Sequence, residues 1–268
     1  MDVTILPGGI ENLKFLQTLI LRRTKIRVLP QSVGLLKQLK CLQIDDRLIT
    51  VPGWIGNLTS LEVLSWDHVS PQFAKELRKL TELRELRFEI EREDGCLIKD
   101  LMESLGYLKK LQILEISVHW RYHQDMSGWV NCNGYVPSRQ LRHLKLDLTL
   151  RNLPWWINPT VLPNLSTLSM SSCSLEMHDQ ETLGRFPELT NLGLMNTGPY
   201  IMGGSAFPKL RSLAIEYSVP TFLRGAMASL EALGLRISVV QWKKYGIDFD
   251  FNSSSEGVCF YHHPWCQS

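Results

Sequence analysis

The sequence predicts an α/β solenoid of about ten coils, and three observations carry this prediction. A pattern of Leu, two residues, Leu, one residue and Leu recurs along the 268-residue chain in steps of 20 to 30 residues. An apolar residue stands three positions before nearly every copy, and a small polar residue often stands eight positions after its first leucine. Such self-similarity is typical of stacked coils that share one core. The copies begin at Leu16, Leu39, Leu61, Leu83, Leu111, Leu141, Leu165, Leu189, Leu210 and Leu230.

Each copy predicts one short β-strand. Successive side chains of an extended segment point to opposite faces, so Leu19 and Leu21 share one face in the first copy while Thr18, Ile20 and Arg22 share the other. One coil cannot bury its leucines alone, but stacked neighbours can. The steps centre on about 20 to 29 residues, the period of a leucine-rich repeat, which predicts a horseshoe with a parallel β-sheet on its concave face.

The residues upstream of each strand predict short helices, 3₁₀ turns and loops on the convex face. Apolar residues spaced three apart lie on one side of such a turn and close the coil from its outer wall. Ser138 breaks the rule, and the other residues three positions before a first leucine are Leu13, Leu36, Leu58, Leu80, Leu108, Leu162, Phe186, Phe207 and Met227. The early copies add Ile10, Val33, Ile55, Leu77 and Leu105.

Small polar residues are expected to connect neighbouring coils. Side chains of this kind can bond buried backbone donors and acceptors between turns, so we assign them a structural role. The position eight residues after the first leucine carries Thr24, Thr149, Cys173, Thr197, Ser218 and Ser238.

The repeat also sets the domain organisation. Residues 1–237 are predicted to form one leucine-rich-repeat domain, with longer and irregular coils at about 88–140. Residues 238–268 lack the pattern, so we expect a C-terminal cap followed by a disordered tail. No metal site is predicted in this tail, because adjacent histidines do not easily reach one tetrahedral zinc ion. The tail residues with zinc-binding side chains are Cys259, His262, His263 and Cys266.

Composition and motifs exclude several classes of function. With 29 basic and 27 acidic residues and a net charge of +2, the chain has no global field that indicates nucleic acid as a partner. No apolar run approaches the ~20 residues that span a bilayer, and no secretory signal is evident, so we expect a cytoplasmic protein with reduced cysteines. Phosphate-binding loops, nucleophile elbows and zinc-protease helices are absent from the sequence. The sequence therefore predicts neither an enzyme nor a cofactor.

Three stretches resemble the repeats of plant intracellular disease-resistance receptors of the nucleotide-binding, leucine-rich-repeat class. They are LPGGIENLKFLQTLILRRTKIRVLPQSVGLLKQLKCLQI at 6–44, and, in the form found in grasses, LPWWINPTVLPNLSTLSMSSCSLEMHDQETLGRFPELTNLGL at 153–194 and FPKLRSLAI at 207–215. The resemblance implies a protein-interaction module of an innate-immunity receptor, which recognises pathogen effectors directly or through a guarded host protein and restrains the receptor switch. The signalling and nucleotide-binding domains of these receptors have no counterpart in this sequence.

Two surfaces are candidate binding sites. The concave face presents the third, fifth and seventh residues of each copy, among which we single out Ile20, Arg22, Asp45, Asp67, Arg87, Glu89, Glu115, Lys145, Asp147, Met195 and Glu216. The rim after the fifth strand carries the side chains that dominate binding hot spots, namely Trp120, Arg121, Tyr122, Trp129 and Tyr135. These aromatic residues either bind a partner or fold back onto the coil. The resemblance implies that Arg22 and Arg23 contact the nucleotide-binding module of a receptor, the alternative being an ordinary solvated charge cluster.

Two other interpretations stay open. A free-standing scaffold resembling the Ras-associated leucine-rich-repeat proteins would use similar coils, although those coils repeat at an even period. The substrate-selecting arm of a ubiquitin ligase would be expected to carry an F-box at its start, which is absent from this sequence. In each case the predicted partners are proteins rather than nucleic acid or membrane, and the isolated domain is expected to be monomeric.

Overall fold

The computed structural model forms a stack of coils in which every repeat copy contributes one strand to a single sheet. It describes residues 4–22, 24–26, 28–44, 52–67, 69–90, 95–118, 135–195, 197, 200–202, 206–218, 220–222 and 227–236. Within these residues, ten parallel strands follow one another in chain order, apart from two short strands that belong elsewhere. The predicted fold class is therefore confirmed.

The ten strands of the sheet coincide with the ten repeat copies. The second leucine of each copy lies beside the second leucine of the next, so the register is uniform through Leu19, Leu42, Leu64, Leu86, Leu114, Leu144, Leu168, Leu192, Leu213 and Leu233. The strands are β1 (Thr18–Ile20), β2 (Cys41–Ile44), β3 (Val63–Trp66), β4 (Glu85–Ile90), β5 (Ile113–Val118), β6 (His143–Leu150), β7 (Thr167–Cys173), β8 (Asn191–Met195), β10 (Ser212–Glu216) and β12 (Ala232–Arg236).

Backbone hydrogen bonds repeat in the same way at the start of each strand. The carbonyl oxygen of Gln17 accepts the N–H groups of both Lys40 and Cys41, at 2.8 and 2.9 Å. The carbonyl of Arg211 accepts those of Glu231 and Ala232 in the last coil, both at 2.8 Å. Each coil thus offers one acceptor to two donors of the coil that follows it.

The convex side carries the short helices that the apolar spacing predicted. The 3₁₀ helices are Ile10–Asn12, Gln31–Leu35 and Ile55–Asn57, and the α-helices are α1 (Pro71–Leu77), α2 (Gly95–Leu105) and α3 (Met177–Gly184). Ser70 caps α1, because its Oγ accepts the N–H of Phe73 at 3.2 Å and Pro71 holds the first helical position.

The last coils differ from the prediction, because strands replace helices on their convex side. β9 (Tyr200–Met202) and β11 (Pro220–Phe222) pair in parallel and form a second, two-stranded sheet. Phe207, Tyr217 and Met227 adopt positive φ angles of 59°, 57° and 51°. Such angles are uncommon for residues other than glycine, so the turns of these coils follow a different path from the turns of the earlier coils.

The leucines of both walls fill the coil interior. Most of them are fully buried, and the aromatic side chains of Trp66, Phe73 and Phe88 join them with ring centroids 6.3 and 6.5 Å apart. Leu13 is a correction to the prediction, because it is 54% exposed whereas Leu36, the equivalent residue of the second coil, is 1% exposed. The first coil has a neighbour on one side only among the described residues.

Part of the predicted polar ladder is present between the later coils. The Oγ of Ser218 accepts the N–H of Thr197 at 2.9 Å, and both residues are buried. Cys173 is buried at the same offset, and burial, with the nearby Asp179 charge, raises the pKa of its thiol to about 12. Thr24 Oγ1 donates instead to the carbonyl of Leu21 within its own coil, at 3.0 Å.

Two predictions concern the C-terminal end of the chain and its relation to the membrane. The expected cap and tail at 238–268 lie outside the described residues, so they stay predictions. Among the described segments, no helix is both long and apolar enough to span a membrane.

Candidate protein-binding surface

The concave face of the sheet is the surface that the structure leaves open across all ten strands. Alternation places the third and fifth residues of each copy on this face, opposite the buried leucines, as in the burial patterns of β4, β5 and β10. Ile20 and Arg22 are exposed at the first coil, and Asp147 is exposed on the sixth. The half-buried residues of the predicted site are Asp67, Arg87, Glu89, Glu115, Lys145, Met195 and Glu216.

An ion-pair network occupies the middle of this face. The parallel register places Arg87 of β4 beside Glu115 of β5, and Glu115 in turn beside Lys145 of β6. Arg87 Nε lies 3.1 Å from Glu115 Oε1, and Arg87 Nη1 lies 3.0 Å from Glu85 Oε2. His143 Nε2 lies 3.4 Å from the same Glu115 oxygen. An ion pair therefore connects β4 and β5 across their exposed face, and His143 of β6 lies against the same carboxylate.

This environment shifts the pKa values of groups in and near the network. The nearby His143 side chain, together with the charge and hydrogen bond of Arg87, outweighs burial and lowers the pKa of Glu115 to about 2. Burial alone would lower the pKa of Arg87, but Glu115 and Glu85 raise it above its ordinary value. Burial also raises the pKa of the Cys41 thiol on β2, and the Glu85 charge adds to that effect.

Side chains of the network line one side of a shallow depression. Its volume is about 90 Å³, too small for an organic cofactor but large enough to receive a side chain of a partner. Acidic, basic and hydroxyl groups surround it, so the depression can both donate hydrogen bonds to a polar group and accept them from it. Its lining consists of Ser65, Asp67, Arg87, Phe88, Glu115, Ile116, Ser117 and Lys145.

The concave face becomes small and nearly neutral towards the C-terminal coils. Ser169, Gly193, Ala214 and Gly234 hold the central position on β7, β8, β10 and β12. Charge returns at the end of these strands, where Arg236 Nη1 lies 3.5 Å from Glu216 Oε2. The Arg236 guanidinium also stacks 5.5 Å from the ring centre of Tyr217, a residue that the sequence analysis did not single out. Tyr217 directly follows Glu216, the seventh residue of its copy, and the repeat pattern gave no separate signal for this position.

A second concavity lies near the N-terminal ends of the last strands. It is an open groove of about 520 Å³, and its charged side chains pair with neighbours: Lys209 Nζ is 2.7 Å from Glu188 Oε1, and Arg211 Nη1 is 3.4 Å from Glu231 Oε1. The groove is lined by Thr190, Pro208, Lys209, Arg211, Ala228, Ser229, Leu230 and Glu231. We regard the concave face as the stronger candidate, because it runs over all ten strands whereas this groove is confined to the last coils.

Several predicted site residues cannot be placed on either surface. Of the two alternatives for the aromatic residues after the fifth strand, Tyr135 takes the packing one: it is buried, and its ring packs edge-on against Trp156 with 5.2 Å between centroids. In the part of the chain that the structure describes, no group of three His, Cys, Asp or Glu side chains is arranged to hold a metal ion. The predicted site residues that lie outside the described residues are Arg23, Asp45, Trp120, Arg121, Tyr122 and Trp129.

Comparison with curated proteins connects this fold to plant disease resistance. The chain is 28% identical over 214 residues to disease resistance RPP13-like protein 3 of Arabidopsis thaliana. The matched region covers 70% of this chain and 25% of that relative. It is 26% identical over 232 residues to disease resistance protein Pik-2 of Oryza sativa subsp. japonica, covering 71% and 22% respectively. The chain thus spans about a quarter of the length of the curated relatives that it matches.

Solved structures share the fold at low sequence identity. The Drosophila Toll-Spatzle complex matches with a TM-score of 0.55 and 15% identity, covering 88% of this chain and 35% of the other. Internalin C2 of Listeria monocytogenes matches with a TM-score of 0.50 and 21% identity, covering 72% and 76%. The fold in general is a scaffold for protein interaction rather than for catalysis.

A family model described as a leucine-rich repeat region matches residues 1–255. The predicted resemblance to the repeats of plant disease-resistance proteins is confirmed by this match and by the curated relatives. Because the match covers nearly the whole chain, the chain belongs to the leucine-rich repeat family, and the curated relatives that it matches are plant disease-resistance proteins.

Proposed function

We propose that this chain is the ligand-sensing repeat array of a cytoplasmic plant immune receptor. In this proposal the concave face recognises a pathogen effector, directly or through a host protein, and restrains the receptor switch when no ligand is present. The observation that carries the proposal is the continuous open face from Arg22 on the first coil to the ion-pair network on β4 to β6. Its charges are fixed on a rigid sheet, which favours specific recognition of a complementary protein surface.

In this proposal, binding of the ligand to the concave face also releases the receptor switch. Arg22 is exposed at the first coil, where the resemblance implies contact with the nucleotide-binding module, whereas Arg87, Glu115 and Lys145 lie near the middle of the sheet. A ligand that overlaps both regions competes with the module for the sheet. Such competition shifts the switch only by the difference between the ligand's affinities for the two states, so overlap of the two contacts is essential to the mechanism.

The test is a binding measurement by calorimetry. The chain is titrated with a separately expressed nucleotide-binding module of a plant disease-resistance receptor, and the wild type is compared with the double variant Arg22→Glu/Arg23→Glu. We expect the double variant to weaken binding by about tenfold or more, because it reverses two charges at the proposed contact.

A matched control changes an arginine on the opposite side of the solenoid. Arg185→Glu alters an exposed residue after α3 whose ion pair with Glu181 is 3.6 Å long, and it should leave the affinity unchanged. Failure of the well-folded wild type to bind would overturn the proposed restraint. Equal weakening by both changes would show that the attraction is non-specific, which would also overturn it.

A further inference from the structure

The concave face is acidic over β3 to β6, although the chain as a whole is slightly basic. With His143 counted as neutral, the described residues of this face carry five carboxylates against two cations, whereas the net charge of the whole chain is +2. The carboxylates are those of Asp67, Glu85, Glu89, Glu115 and Asp147, and the cations are Arg87 and Lys145. On β7 and β8 the outward side chains are uncharged. The negative charge is therefore concentrated in the middle of the sheet.

Arg87 does not offset this charge, because two carboxylates already bind it. Its Nη1 lies 3.0 Å from Glu85 Oε2, and its Nε lies 3.1 Å from Glu115 Oε1. Taken together, these three side chains retain a negative charge. Lys145 forms no ion pair with any residue that the structure describes. Lys145 is therefore the cation on β3 to β6 whose charge a ligand would meet unscreened.

Ser65 indicates that the acidic region receives a ligand. It is only 7% exposed, and its hydroxyl makes no hydrogen bond to a described residue, although it lines the depression of about 90 Å³ on this face. Buried polar groups normally have a partner. Asp67, directly after β3, and Ser117 of β5 line the same depression. The depression thus presents one carboxylate and two hydroxyl oxygens to a hydrogen-bond donor.

A cationic side chain suits these acceptors better than an anionic one. A carboxylate in the depression would lie beside Asp67 and Glu115, with Lys145 as its only unpaired cation among the described residues. A guanidinium would meet acceptors and a surrounding excess of negative charge. It is also planar and more weakly hydrated than an ammonium group, and its N–H donors point outward in one plane. A shallow polar depression therefore favours arginine over lysine.

We propose that this depression binds an arginine side chain of the protein that the concave face recognises. The guanidinium donates hydrogen bonds to the Asp67 carboxylate and to the hydroxyl oxygens of Ser65 and Ser117. The surrounding carboxylates attract a partner surface that is basic around this arginine. The inference rests on the proposed function, because it names the chemistry of the partner surface that the concave face recognises.

The experiment titrates the full chain with N-acetyl-arginine methylamide at low ionic strength. Backbone amide signals of Ser65, Asp67 and Ser117 are followed by NMR. The matched ligand is N-acetyl-citrulline methylamide, which has nearly the same shape and carries no charge. We expect saturable shifts of these signals with the arginine probe and an affinity for the citrulline probe that is lower by at least about tenfold, because the charge-assisted hydrogen bonds are lost.

Two variants test the role of individual side chains. Lys145→Met removes an unpaired cation, so it should strengthen binding of the arginine probe by about twofold to tenfold. Ser65→Ala should weaken binding by about threefold to tenfold and leave the thermal midpoint unchanged, because its hydroxyl has no partner among the described residues. The control is Glu82→Gln, which changes a carboxylate paired with Lys110 ahead of β4 and should leave the affinity unchanged.

Several results would overturn the proposal. These are equal affinity for the arginine and citrulline probes, tighter binding of N-acetyl-aspartate methylamide, weaker arginine binding by Lys145→Met, and shifts spread over the whole surface. Failure of this inference is distinguishable from failure of the proposed function. A chain that binds the nucleotide-binding module but not the arginine probe would refute this inference alone, and the opposite result would refute the proposed restraint alone.

Discussion

Glu115 is the residue on which the candidate surface depends most, because its carboxylate connects β4 to β6. We predict that Glu115→Gln lowers the free energy of unfolding at pH 7 by roughly 2 kcal/mol, since the amide loses the charge that pairs with Arg87. The pKa of Glu115 is about 2 in the folded chain against an ordinary value of 4.5. This stabilisation is complete above pH 4.5 and is lost as the pH falls towards 2, so the two proteins should converge there.

Urea denaturation between pH 7 and pH 3 measures this difference. The control is Glu82→Gln, which removes a carboxylate from the solvent-exposed pair with Lys110 and should cost less than about 1 kcal/mol. A gap between wild type and Glu115→Gln that stays constant down to pH 3 would contradict the network as we describe it.

Tyr200 is buried in the core with its hydroxyl group. Its hydroxyl is buried without a hydrogen-bond partner among the described residues, and burial, with the Asp179 charge nearby, raises the pKa of this phenol. We predict that Tyr200→Phe leaves the chain as stable as before or stabilises it by up to about 1 kcal/mol, because the desolvation cost of the hydroxyl disappears. Thermal unfolding tests this, with the exposed Tyr107→Phe as control. A loss above about 1 kcal/mol would reveal a partner of the hydroxyl.

Single residues also show how far the sequence alone could predict the site. The alternation of leucines was enough to place Arg87, Glu115 and Lys145 on the concave face, because the period of a strand decides the face. Their contacts were not predictable, since Arg87 and Glu115 meet only through the register of strands 28 residues apart. Tyr135 packs against Trp156, a residue of the following coil, and no local sequence pattern predicts that contact.

At the scale of elements, α1 and the 3₁₀ helix before it pack through a glycine. A methyl group added at Gly56 would overlap the Glu76 carboxylate and the Lys79 side chain. Glu76 is buried, and it accepts hydrogen bonds from Lys79 at 2.8 and 2.9 Å. We predict that Gly56→Ala lowers the free energy of unfolding by about 1 to 3 kcal/mol, because the buried Glu76 carboxylate must move away from its half-exposed partner Lys79.

Gly53→Ala provides the comparison for this prediction. Its added methyl group would meet only Gln72 Nε2, at an ordinary contact distance of 3.9 Å. Chemical denaturation of both variants should therefore show a clear loss for Gly56→Ala and little change for Gly53→Ala. Equal values would mean that backbone entropy, and not the contact with Glu76, decides the effect.

The second sheet is the element that sequence reasoning missed. β9 and β11 are only three residues long, and they lie where the earlier coils carry helices. Their residues, Tyr200–Met202 and Pro220–Phe222, show no alternation long enough to separate a strand from a loop. Strand formation there depends on the partner strand of the next coil, so it becomes evident only once the coils are stacked.

At the scale of the whole molecule, a stack of coils is stable roughly as the sum of its coils and their interfaces, which makes position along the stack decisive. Leu144 lies in the middle of the sheet and is fully buried, whereas Leu233 occupies the same register position on the last strand. We predict that Leu144→Ala costs about 3 kcal/mol and Leu233→Ala about 1 kcal/mol, because the middle residue is packed from both sides.

Hydrogen exchange followed by mass spectrometry distinguishes the two variants further. Leu144→Ala should raise exchange in β5, β6 and β7 together, since the coils on both sides lose an interface. Leu233→Ala should raise exchange in β12 alone, because an end coil can open without disturbing the others. Global acceleration by the end variant would mean that the ten coils unfold as one cooperative unit, and the additive description of the solenoid would then fail for this chain.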